Sequence, residues 1–163
     1  MKRDVQFVRA LDAPYEAVRD ALRDHPQRML GGRPVGEGRV TTRVTAAVGN
    51  AEVSGEANID IVGFDEPQGI AAGSYLLFRG DATRRPDLFP HLEARLDVVP
   101  IDEERTALFL VATYKPPLGV VGGTADALGL YHLADDALNR LFAQVCERVA
   151  AEASGAAGPA GGV

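Results

Sequence analysis

Tryptophan is absent from this 163-residue chain, and only six phenylalanines and four tyrosines supply aromatic bulk. A core built here must be filled mainly by aliphatic side chains and alanine. Cysteine occurs once, as Cys146, which excludes an internal disulfide and fits a reducing compartment. The basic residues are nearly all arginine and are scattered, Arg84-Arg85 being the only adjacent pair away from the N-terminus. A net charge of −6 and an isoelectric point near 5.0 argue against a nucleic-acid backbone as partner. No stretch approaches the ~18 uninterrupted apolar residues of a membrane span, so no stable membrane anchoring is expected. The opening residues, "MKRDVQFVRALDAP", carry charges at Asp4, Arg9 and Asp12 and read as neither signal peptide nor anchor. A cytoplasmic protein is expected.

Signatures of catalysis are equally scarce. Ser74 sits in "AGSYL", which lacks the second glycine of a nucleophile elbow, and Ser54 falls in mid-strand. The glycines of "GGRPVGEG" have no preceding strand, lysine or dinucleotide spacing, so they read as a loop. His25, His91 and His132 lack metal-ligand spacing with one another or with Cys146, and no cofactor or metal is expected. His132 and Asp136, four apart, read as an exposed pair, and Cys146 as an inert core thiol.

What is present is periodicity. "DVQFVRAL" places Val5, Phe7 and Leu11 on one side of a strand, with Arg9 in the same row. "DAPYEAVRDALRD" then offers Asp12 as N-cap, Pro14 in the first turn, and Tyr15, Val18, Ala21 and Leu22 at helical spacing. A shorter helix around Pro26 to Leu30 ends at Gly31-Gly32. The period then becomes two: Val40, Thr42, Val44, Ala46 and Val48 alternate, Gly49-Asn50 turns the chain, and Val53, Ala57, Ile59 and Ile61 return. Ile70 to Gly80, His91 to Val99 and Arg105 to Tyr114 read as three further strands, the last two a hairpin across "PIDEE". From Ala125 to Glu152, Leu128, Tyr131, Ala134, Leu138, Leu141, Val145 and Val149 recur every three or four residues. That spacing predicts a helix ~40 Å long, with Thr124 as N-cap. "SGAAGPAGGV", residues 154–163, has nothing to bury and reads as a disordered tail after one domain, residues 1–153. Short turns between strands make an antiparallel meander, and a ten-residue strand of ~33 Å nearly matches the long helix. One such helix can lie along one curved sheet, an α+β arrangement.

Between the last strand and this helix stands "YKPPLGVVGG". Pro116 and Pro117 end ladder donation, and Gly119, Gly122 and Gly123 permit redirection. Leu118, Val120 and Val121 then either seal the core under the helix start or line a cavity mouth. "LDAPYEAVRDAL", together with "ARLDVVPIDEERTALFLVATYKPPLG" and "DALGLYHLADDALNRLFAQVCERVA", resembles the START-like (SRPBCC) superfamily, which includes polyketide cyclases. The resemblance spans about Val5 to Ala153. It implies the helix-grip fold: a curved antiparallel sheet of six to seven strands wrapped on one long C-terminal helix, with two short helices after the first strand.

Two readings remain for the polar strand residues. Arg9, Tyr75, Arg79, Tyr114 and Tyr131 can orient the polar tip of an otherwise apolar ligand, with Leu118 and Val121 at the mouth. Alternatively these faces meet water and form cross-strand pairs, such as Arg79 with Glu93 or Glu56 with Arg43. If Arg9 is buried it needs a carboxylate or a ligand anion. Ala46, Ala57, Ala94 and Ala134 are too small to reach across a curved sheet, which predicts an apolar cavity beneath the helix unless helix and sheet approach more closely. Three functions follow: a binder of a small hydrophobic or amphipathic molecule, a cyclase- or aromatase-like enzyme in the same cavity, or an interaction protein with a filled core. A continuous cavity with converging polar groups separates the first two from the third, and a closed core with no sizeable pocket beneath the helix defeats the ligand-binding reading.

Overall fold

The computed structural model describes residues 2–67, 73–84, 91–115 and 124–156, and the backbone alone for Val48, residues 124–130 and Ala156. The chain forms β1 (Arg3–Leu11), α1 (Tyr15–Asp24), α2 (Pro26–Leu30), β2 (Arg33–Pro34), β3 (Arg39–Val48), β4 (Ala51–Asp65), β5 (Ser74–Ala82), β6 (Leu92–Pro100), β7 (Thr106–Tyr114) and α3 (Thr124–Ala156). Every strand pairing is antiparallel, and the seven strands lie in the order β1-β7-β6-β5-β4-β3-β2. The α+β helix-grip architecture expected from the sequence is therefore present. The short β2, paired with Thr41 and Val40, was not legible in the pattern. Pro14 rather than Asp12 stands at the N-cap of α1, with extended backbone and no side-chain cap bond. The fixed φ of proline presets the entry to the helix. Gly49, at φ 59°, leads the two-residue turn from β3 to β4, where a β-carbon would be disfavoured. α3 runs to Ala156, three residues into the segment read as a tail; residues 157–163 lie outside the described residues.

Alternation divides the sheet into two faces. Inward go Val40, Val44, Ile59, Leu76, Phe78, Leu96, Leu108 and Leu110, all buried. They meet Leu138, Leu141, Val145 and Val149 of α3 and Val18 and Leu22 of α1 in one continuous core. Each fully buried aliphatic side chain contributes about 1.5–3 kcal/mol. Leu128, assigned to the same helical stripe, has its side chain outside the described residues. The scarcity of aromatics matters less than expected, because Phe142 of α3 stacks on one sheet phenylalanine and shares a void with another. Phe7 of β1 stacks on Phe142 of α3 at 6.2 Å between ring centroids, and Phe78 of β5 stands inward among the same residues.

Polar contacts fix where α3 lies. Asp136 accepts a hydrogen bond from the backbone N–H of Ala47, on the stretch of β3 beyond the reach of β2, at 2.7 Å. Arg140, one turn on, donates to Asp136 at 3.0 Å and to Glu52 of β4 at 3.1 Å. The expected His132–Asp136 pair is thus replaced by a link between helix and sheet. At the other end, Arg148 donates to the carbonyl of Leu30 at 3.2 Å and lies over Gly31, whose φ is 81°. A β-carbon at Gly31 would run into the Arg148 guanidinium.

Three outcomes test this packing. Leu141→Ala should cost about 2–5 kcal/mol in chemical denaturation, because Leu141 is 3% exposed and its removal leaves a void. Asp136→Ala should speed hydrogen exchange at the Ala47 amide and cost only about 0.5–1.5 kcal/mol, since water can replace the lost acceptor on this exposed strand. Burial pushes the Cys146 thiol up to about 11 from its ordinary 9.0, with the nearby charge of Arg9 opposing. The unfolded chain therefore loses that proton first, so this contribution is intact below about pH 9 and declines as pH rises towards 11. Denaturation midpoints measured across that window should fall less for Cys146→Ala than for the parent chain.

Candidate functional site

At the end of β7 the sheet and α3 meet through a polar group set among apolar residues. Tyr114 faces inward and is 1% exposed. Its cross-strand neighbours are Leu92 on β6 and Arg3 on β1, and one step further inward lie Ala94, Ala112 and Val5. The Tyr114 hydroxyl donates to Asp135 Oδ1 at 2.7 Å and lies 3.4 Å from the carbonyl of Tyr131. Arg3 donates to Asp135 Oδ2 at 2.6 Å and, from Nε, to Oδ1 at 3.3 Å. Its guanidinium stands 5.1 Å from the Tyr131 ring centroid, and the two tyrosine rings are 6.4 Å apart. Asp135 thus gathers a phenol and a guanidinium, each brought by a different strand.

The electrostatics follow from that arrangement. Burial, then the bond to Asp135, drives the Tyr114 phenol well above its usual range, so it stays neutral at physiological pH. The Asp135 hydrogen bond likewise raises Arg3, which remains a cation throughout. Because Tyr114 spends its proton on Asp135, its oxygen presents only acceptor lone pairs to a neighbour. The Tyr131 carbonyl is a second acceptor beside it.

Of the residues singled out from sequence, Tyr114 and Tyr131 are brought together here. Leu118 and Val121 lie outside the described residues. Tyr75 and Arg79 do not face the helix: Tyr75 donates to Asp65 at 2.8 Å with Arg95 over its ring, and Arg79 approaches Glu93 at 3.9 Å, all on the outer face. Their inward neighbours, Leu76 and Phe78, take the core positions of that strand, so alternation sends the polar pair outward. Arg43 stands directly opposite Glu56 in the β3–β4 register, as expected, and donates to Ser54 at 3.0 Å. Arg9 does share the inward row of Phe7 and Leu11, yet it is exposed because β1 is the edge strand. It therefore requires no buried counter-anion. Arg3 and Asp135 were missed. Asp135 falls four residues after Tyr131, an acid inside an apolar stripe, and that was the available signal. Arg3 becomes visible only once the β1–β7 register is known.

Among the described residues the centre of the expected cavity is nearly filled. Leu30, Phe78, Leu96, Leu110, Leu141, Phe142 and Val145 enclose a void of about 10 Å³, room for no more than about one water. The phenylalanine side chains that meet there occupy the volume assigned to a guest. Among the described residues no group of three or more His, Cys, Asp or Glu is placed to hold a metal ion, and no helix is long and apolar enough to cross a membrane.

No protein-family model and no curated protein matches the chain. Solved structures do. The Zhui aromatase/cyclase from Streptomyces sp. R1128 superposes with a TM-score of 0.59 over 100% of both chains, at 17% identity. A conserved protein from Geobacillus kaustophilus gives 0.54 over 91% of this chain and 96% of its own, also at 17%. Truncated norcoclaurine synthase from Thalictrum flavum gives 0.53 over 92% of each chain at 12%. At these identities the likeness concerns the path of the backbone. Seven antiparallel strands, two short helices after the first and one long helix across the sheet give this chain the helix-grip fold of the START-like (SRPBCC) proteins.

Proposed function

We propose that the protein binds a small hydrophobic or amphipathic molecule between the sheet and α3, at the Tyr114 end of the interface. The observation that carries this reading is the Tyr114–Asp135–Arg3 group, a satisfied polar cluster set beside the small residues Ala94 and Ala112. The nearly filled centre argues against a guest at mid-sheet and so favours this end. The Tyr114 oxygen accepts there and the remaining N–H groups of Arg3 donate, so the reading favours a ligand whose polar tip is a hydroxyl, which can do both. Mass spectrometry of the native protein from its own host, looking for co-purified small molecules, tests the reading directly.

A cyclase-like enzyme in the same place is the second reading, favoured by a phenol hydrogen-bonded to a carboxylate. General acid catalysis is best served by a group whose pKa lies near the working pH. The Tyr114 phenol is displaced away from that range, which supports binding over proton transfer. Tyr114→Phe should weaken a long-chain alcohol about five- to tenfold, the equivalent of one net hydrogen bond, while leaving the alkane of equal length unchanged. Titrations with the two probes check this. Equal losses for both would remove Tyr114 from the role, and no saturable binding of either would defeat the reading.

A further inference from the structure

On the opposite face of the same end of the sheet lies a separate pocket of about 200 Å³, lined by Lys2, His91, Glu93, Thr113, Tyr114 and Lys115. Arg3 pairs with Tyr114 and Leu92 pairs with Tyr114, so continuing both registers by one step sets Lys115 between Lys2 and His91. Strand neighbours directly opposite have β-carbons ~4.5–5.5 Å apart, and like charges in that relation repel. The chain has just two lysines, Lys2 and Lys115, and a net charge of −6; both fall in this one row. The acidic groups nearby have other bonding partners. Asp4 accepts from Thr113 at 2.6 Å, Asp81 holds His91 Nδ1 at 2.6 Å, and Glu93 faces Arg79 at 3.9 Å. Among the described residues neither lysine has a carboxylate within ion-pair distance.

We propose that this pocket binds a small oxyanion, a phosphate or a carboxylate, between the ammonium groups of Lys2 and Lys115. An oxyanion relieves the repulsion between the two lysines and accepts charge-assisted hydrogen bonds from both. At ~30 Å³ per water, the pocket has room for such an anion together with part of its hydration shell. The carboxylate of Glu93 on the same wall, with those of Asp4 and Asp81 behind Thr113 and His91, limits the net attraction, so the fit is to a small anion at modest affinity. The tyrosine backbone separates this pocket from the space under α3, and the proposal stands whether or not a hydrophobic guest binds there.

The test is a titration of the full chain with inorganic phosphate and, separately, sodium acetate, each against sodium chloride at equal ionic strength, followed by amide NMR. The expected result is a saturable shift confined to residues around His91, Thr113 and Lys115. Saturation with phosphate alone assigns a phosphate ligand, and saturation with acetate assigns a carboxylate. Lys115→Met should weaken the response about tenfold, and Glu93→Gln should strengthen it about threefold. Both positions are exposed, so melting curves of the variants serve to show that the fold is intact. Shifts that chloride reproduces, that never saturate, or that survive Lys115→Met undiminished would overturn the proposal.

Discussion

Two consecutive carboxylates decide where α3 lies. Asp135 holds Arg3 of β1 and Tyr114 of β7, whereas Asp136 holds the backbone of β3. Adjacent helical residues point about 100° apart, so one helix reaches two directions at once. β1 and β3 are separated by four strands in the sheet. Both can meet a single helix only if the sheet curls around it, in the sense that strand twist already favours. Apolar burial pulls α3 onto the sheet without specifying its position along it. The aspartates supply that position.

The two contributions differ in size and in kind. Exposed ion pairs are individually worth about 0–1 kcal/mol, so links such as Arg140–Glu52 add little to total stability. The continuous core beneath them supplies most of it. The Tyr114 end is where these regimes meet, with a buried phenol on one side of Asp135 and a half-exposed guanidinium on the other. Its polar groups bond to one another beside Ala94 and Ala112.

Periodicity made most of the fold legible. Helical spacing from Tyr131 to Val149 identified the buried stripe of α3, and the alternation of Val40, Thr42, Val44 and Ala46 identified the inner face of β3. Burial of Leu138, Leu141, Val145 and Val149 agrees with that spacing. Face assignment failed where a strand carried polar residues at both parities. Tyr75 and Arg79 share a side, but only the burial of Leu76 and Phe78 shows which side it is. Arg9 shows a different limit: its row points inward, yet edge position exposes it, and strand order is a long-range property. The nearly filled centre escaped notice for a similar reason. Phe7, Phe78 and Phe142 are far apart in the chain, and composition counts aromatics without saying that Phe7 stacks on Phe142 or that Phe78 and Phe142 line one void. Tyr114 and Tyr131 were found because each sits at a recognisable place in its element, whereas their partner Arg3 depends on register.

The contact between Arg148 and the turn at Leu30-Gly31 bears on the order of assembly. Its two ends are 118 residues apart in the chain. Closing so long a loop costs entropy before the contact returns anything, and folds dominated by such contacts form slowly. β1 must likewise wait for β7, made more than ninety residues later. Local hairpins such as β3–β4 and β6–β7 carry no such delay. The long helix, made after all seven strands, therefore closes a sheet already assembled from neighbours, and Gly31 leaves open the place where Arg148 must land.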